Sequence, residues 1–114
     1  MIRNTDPDYV SFELDILWTV FPGHDPVTFL EKYGPRFKLM HLKDLKKGIE
    51  GNSSGNTSQE NDVALGKGQL DLERILNAGK KSGVKYFYIE DESSKYNEQV
   101  PKSIEYLKRI GFIK

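Results

Sequence analysis

The chain has 114 residues, 37% of them apolar or aromatic and 30% charged, which suits one modest core and excludes a wholly disordered chain. Basic and acidic residues both number 17, so bulk charge argues against nucleic acid as a partner. The absence of cysteine removes disulfides, thiolate catalysis and Cys-based metal sites, and no apolar run or leader-like segment points to a membrane or to export. The expectation is a cytoplasmic α/β protein.

The first element is Tyr9 to Val20, where Ser11, Glu13 and Asp15 alternate with Phe12, Leu14 and Ile16. Period two predicts a strand. A short helix follows, with Asp25 as N-cap and Pro26 at its first position, where a missing N–H is harmless. Gly34-Pro35 ends it, glycine being expected in the left-handed cap conformation. His24, just before this helix, is within reach of the first strand's end.

Phe37 to Leu42 predicts a second strand, with Phe37, Leu39, His41 and Lys43 on one face and Lys38, Met40, Leu42 and Asp44 on the other. The stretch from Gly48 to Gly68 is rich in Gly, Asn and Ser, and a flexible loop is expected at about 48–68. Leu70 to Ser82 predicts the clearest helix, with Asp71 as N-cap, Leu70 and Ile75 as a hydrophobic staple, and Gly83 as the stop. Val84 to Glu90 predicts a third strand. A last helix is expected from about Pro101 to Ile110. Strand and helix alternate three times, which predicts a parallel sheet covered by helices.

Ligands of parallel α/β folds bind at the carboxyl ends of the strands. Asp15, His41 and Glu90 stand at three such ends, and their oxygen and nitrogen donors suit a divalent metal. Each has a plainer reading as well: Asp15 as a turn or helix cap, His41 as a partly buried histidine, Glu90 as the start of a solvated acidic run. Lys43 and Lys46 are candidates for binding a phosphate or carboxylate of a substrate, or equally a solvated basic turn. Asp44 is a candidate acceptor for a ligand imidazole or a turn cap. Trp18 suits a sugar-binding wall or layer packing.

The segments FELDILW, GHDPVTFLEKYGPRFKLMHLKD, ALGKGQLD and VKYFYIEDE resemble the carboxyl-terminal part of the xylose-isomerase-like TIM-barrel superfamily, in particular its sugar phosphate isomerase/epimerase members. The resemblance implies that residues 1–114 form three strand–helix units of a partial (β/α)₈ barrel. It implies that Asp15, His41 and Glu90 bind Mn²⁺, Mg²⁺, Co²⁺ or Zn²⁺. Glu90 would also exchange a proton with a small sugar or sugar phosphate, through an enediolate-like species. The family's first metal-binding glutamate lies on an earlier strand. Five barrel units and one acid/base partner are therefore expected from a missing barrel segment or from self-association. The alternative is an inactive barrel fragment serving in assembly or carbohydrate binding.

Overall fold

The computed structural model describes residues 4–6, 8–9, 11–51 and 57–113. Strand β1 (Phe12–Asp15) runs directly into helix α1 (Ile16–Val20). The predicted strand is therefore cut short. Its Val10 lies outside the described residues, and its second half is helical despite the β-branched Ile16, Thr19 and Val20. Asp15 explains the switch: its Oδ1 accepts the Leu17 and Trp18 N–H groups, and Thr19 Oγ1 donates back to the Asp15 carbonyl. Two of the helix's orphan donors are thereby satisfied, which outweighs the modest strand preference of these side chains. Ile16 and Leu17 are then buried.

Helix α2 (Pro26–Tyr33) starts at the expected cap, Asp25 accepting the Val27 N–H. It ends differently. Gly34 is right-handed, with φ −42°, and the chain tightens into a 3₁₀ turn over Gly34–Arg36. The glycine is needed for space instead: a Cβ there would lie 2.9 Å from Ser82 Cβ, closer than two such atoms pack.

Strand β2 (Phe37–Leu42) stands where the alternation put it. The two-residue β3 (Asp44–Leu45) pairs antiparallel with β4 (Asp62–Val63), which follows a 3₁₀ turn over Gln59–Asn61. In the segment read as a flexible loop, residues 52–56 lie outside the described residues, and the part after them is tied to β3 by this pairing. Helix α3 (Leu72–Ser82) has the Asp71 cap and the left-handed Gly83 stop. Strand β5 (Tyr86–Ile89) precedes helix α4 (Tyr96–Arg109). That helix begins before the expected start, leaving Pro101 inside it. Its first turn is fastened by Gln99, whose Nε2 reaches the Asp62 carbonyl at 3.1 Å and Ser93 Oγ at 2.9 Å. These anchors offset the backbone donor that Pro101 lacks.

The three longer strands form one parallel sheet in the order β1-β2-β5. Met40 and Leu42 on its helix side are almost wholly buried, in a core shared with Leu14, Leu30, Ile75 and Leu76. Pairing of Asp15 with His41, and of His41 with Tyr88, sets the other face in register. Glu13, Asp15, Leu39, His41, Tyr86 and Tyr88 therefore lie together on that face, because residues aligned across a sheet share a side. Tyr86 is 57% exposed and Tyr88 48%.

Candidate metal centre

The ends of the three parallel strands are brought side by side by the register, and the polar residues gather there. Asp15, His41 and Glu90 each offer a ligand atom, and these atoms all lie within 4.8 Å of one another. Two atoms bound to one ion at about 2.2 Å are at most about 4.4 Å apart, so the donor set is already nearly closed. All three residues are half-buried.

Both carboxylates face Lys43 through one oxygen. Asp15 Oδ1 caps α1, and Oδ2 lies 3.3 Å from Lys43 Nζ. Asp15 is thus both the helix cap of its plainer reading and a member of the cluster. Glu90 Oε1 lies 3.4 Å from the same ammonium. Its other oxygen, Oε2, is buried and faces His41 Nδ1 at 2.5 Å. Two carboxylates and an imidazole converging in this way fit a divalent ion.

The imidazole is gripped on both sides, with Nε2 3.2 Å from Glu13 Oε1 and the edge of Tyr88 against its ring at 5.9 Å between centres. Asp44, expected beside a ligand imidazole, does another job. It is fully buried, and its oxygens accept the backbone N–H groups of Leu45, Gly66, Gly68 and Leu70. It sits on the opposite side of the strand end from His41, as strand alternation requires.

Lys43 is the hub of the cluster. Its side chain is 3% exposed, and Nζ donates to Glu92 Oε1 at 2.7 Å besides facing Asp15 and Glu90. Burial works against its charge, but the Glu92 hydrogen bond and the charges of Asp15, Glu90 and Glu92 outweigh this and raise its pKa. Glu92, in turn, is pulled below the ordinary glutamate range by Lys43. Trp18 stands on the far side of the ammonium, its ring centre 5.9 Å from Nζ. Lys46 is exposed, and its backbone, not its ammonium, is what the neighbouring loop binds. His24 lies on another surface, edge-on to Phe29.

Three participants were not picked out from the sequence. Glu13 was visible in principle, since it sits two residues before Asp15 on the same strand face. Glu92 shares its side with Glu90 by the same count, but the run Glu90-Asp91-Glu92 looks like a solvated turn until Lys43 is placed beneath it. Asp62, which accepts the Glu92 N–H at 2.9 Å, comes from the loop and carried no signal.

The chain matches no family profile. Among curated proteins, the inosose dehydratase of Bacillus anthracis is 44% identical over 45 residues, 40% of this chain and 15% of its own length. Inosose dehydratase 1 of Bacillus cereus is 37% identical over 61 residues, 54% of this chain and 19% of its own length. Two solved sugar phosphate isomerase/epimerases from Parabacteroides distasonis superpose over the whole fold. One has a TM-score of 0.72 and 35% identity, covering 99% of this chain. The other has a TM-score of 0.73 and 27% identity, covering 100%. The chain spans only 35% and 36% of those two structures. The IOLI protein, solved with a zinc atom, shares the fold at a TM-score of 0.72 and 20% identity over 92% of this chain. By sequence and by fold the chain is similar to about a third of these sugar phosphate isomerase/epimerases, and it carries three parallel strand–helix units like those of a TIM barrel.

Proposed function

We propose that the chain supplies the metal-binding part of a divalent-metal-dependent sugar isomerase or epimerase that works by proton transfer. The observation that carries this reading is the convergence of Asp15, His41 and Glu90 at the ends of the three parallel strands. These three side chains would hold the ion, and Mn²⁺, Mg²⁺, Co²⁺ and Zn²⁺ all accept such donors. When bound, such an ion would supply Lewis-acid stabilisation of developing negative charge on a substrate oxygen. Glu13 and Tyr88 fix the imidazole ring, and Lys43 fixes one oxygen of each carboxylate. Glu90 is the proton-transfer group, since a half-buried carboxylate beside the reacting carbon can hold and return a proton. Isomerisation, epimerisation and the dehydration named for the curated relatives share one step, removal of a proton next to a carbonyl.

The test is metal uptake by the purified chain. Calorimetric titration with Mn²⁺ and Zn²⁺, with Co²⁺ absorption as a second probe, should show one site. D15N, H41A and E90Q should each weaken it about tenfold or more, because each removes one of three ligands. Uptake unchanged in the triple variant, with circular dichroism confirming the fold, would refute the assignment.

A second reading is favoured by the open face of the sheet. Tyr86 and Tyr88 are exposed beside two strand edges that pair with nothing among the described residues. On this reading the chain acts through assembly, either completing a barrel with further strand–helix units or associating with a second copy. It would be catalytically silent alone.

A further inference from the structure

We propose that Glu92 is a positioning residue for the metal centre. It takes up the charge of Lys43, so that this ammonium steadies Asp15 and Glu90 without competing with a cation for them. The proposal rests on the metal-site reading above and adds to it a residue outside the triad, which sets how tightly the triad takes its ion.

The centre already contains a cation of its own. Lys43 Nζ stands 3.3 Å from Asp15 Oδ2 and 3.4 Å from Glu90 Oε1, on two of the three groups assigned to the metal. An ammonium that attracts these carboxylates also repels any ion they hold. The Lys43 side chain is 3% exposed, so water screens little of that repulsion. A buried positive charge beside a metal site is tolerable only where something answers it.

Glu92 answers it. Its Oε1 lies 2.7 Å from Nζ, shorter than either contact to the triad, so the strongest bond of the ammonium goes to a group the metal does not use. Glu92 is itself held in place from the far side. Gln59 Nε2 donates to its Oε2 at 3.0 Å, and Asp62 Oδ2 accepts its N–H at 2.9 Å. The turn Gln59–Asn61 and the strand β4 after it thus keep the carboxylate where Lys43 reaches it. The three N–H groups of the ammonium face three carboxylates. Without the Glu92 charge two of these remain, both in the triad, and Lys43 would close on the oxygens the ion needs.

The full chain would be titrated with Mn²⁺ by calorimetry and with Tb³⁺ by emission sensitised through Trp18, the chain's single tryptophan, whose ring centre is 5.9 Å from Nζ. The Glu92 side chain is 38% exposed, so E92Q is an isosteric change at a tolerant site. It should weaken Mn²⁺ binding about tenfold. Repulsion scales with ionic charge, so Tb³⁺ binding should weaken about thirtyfold. The Co²⁺ visible band should keep its position, because no ligand is altered. The neutral pair K43M/E92Q should bring Mn²⁺ affinity back to within about threefold of wild type. Mn²⁺ binding by E92Q within about twofold of wild type would overturn the proposal. So would equal losses for the two ions, a shifted Co²⁺ band, or a folded double variant as weak as E92Q. If circular dichroism shows the double variant unfolded, the Mn²⁺ and Tb³⁺ losses of E92Q decide alone. Wild-type uptake with variants that behave alike would sink this proposal and leave the metal site standing, whereas a wild type that takes up no metal would sink both.

Discussion

Asp44 shows how one residue can be legible in type and misread in partner. Its position after the second strand marked it as important, but a strand reverses side at every residue, so it faces away from His41 toward the loop after β4. There it gathers four backbone N–H groups at 2.9–3.1 Å. Burial pushes its carboxyl pKa up while those four donors pull against the rise. Replacing it leaves several donors without an acceptor, each worth about 1–3 kcal/mol where buried. Asp44→Ala should lower stability by about 3 kcal/mol or more in urea unfolding, and Asp44→Asn by less, because an amide oxygen still accepts. A loss under about 1 kcal/mol for the alanine variant would show that the loop is held elsewhere. Asp15, His41 and Glu90 were readable because strand ends and period two fix both the place and the side of each. Lys43 was readable as a positive charge on the face of His41, but not as a buried hub. Its three acidic partners come from β1 and from the turn after β5, and no local pattern joins those segments.

Among the helices, α2 and α3 were legible from their caps, and α1 and α4 were not. α2 and α3 announce themselves through Asp25 and Asp71, each of which accepts a first-turn N–H. α4 has no such cap, and Gln99 ties its first turn to groups in two other segments, so its start was hidden. α1 was hidden for the opposite reason: its cap is also a strand residue. The α2 cap carries a pH signature. The Arg74 hydrogen bond, opposed by slight burial and helped by the Val27 N–H, holds Asp25 below the ordinary aspartate value of 3.8. A lowered carboxylate pKa adds stability that is fully present above the unfolded value and is lost as pH falls through the folded one. Asp25→Asn keeps a capping oxygen but not the charge. The wild type should therefore exceed it in urea midpoint near neutrality, and the gap should close below about pH 4. A gap that stays constant into acid would mean that the ion pair, at this exposed site, contributes nothing.

At the scale of the whole molecule, the fold class followed from three strand–helix alternations, but the state of the sheet's two sides did not. The helix side is finished, with Met40 and Leu42 sealed beneath α2 and α3. The other side displays two tyrosines and two strand edges. Edges of this kind invite pairing with further strands. If association is the chain's way of covering them, sedimentation equilibrium should give a mass that rises with concentration across the micromolar range. The Tyr86→Lys, Tyr88→Lys pair should remain at the monomer mass throughout. A wild-type mass independent of concentration would remove the self-association reading and leave completion by a different polypeptide segment.

The uneven finish of the sheet also separates two events in time. The helix layer needs nothing from outside to bury its apolar groups, so it can be in place before anything docks on the opposite face. Whatever arrives then meets a rigid template, its register dictated by alternating amides along β1 and β5. A strand docking there one residue out of register would turn its wrong side toward Asp15, His41 and Glu90, so correct joining and completion of that cluster would coincide.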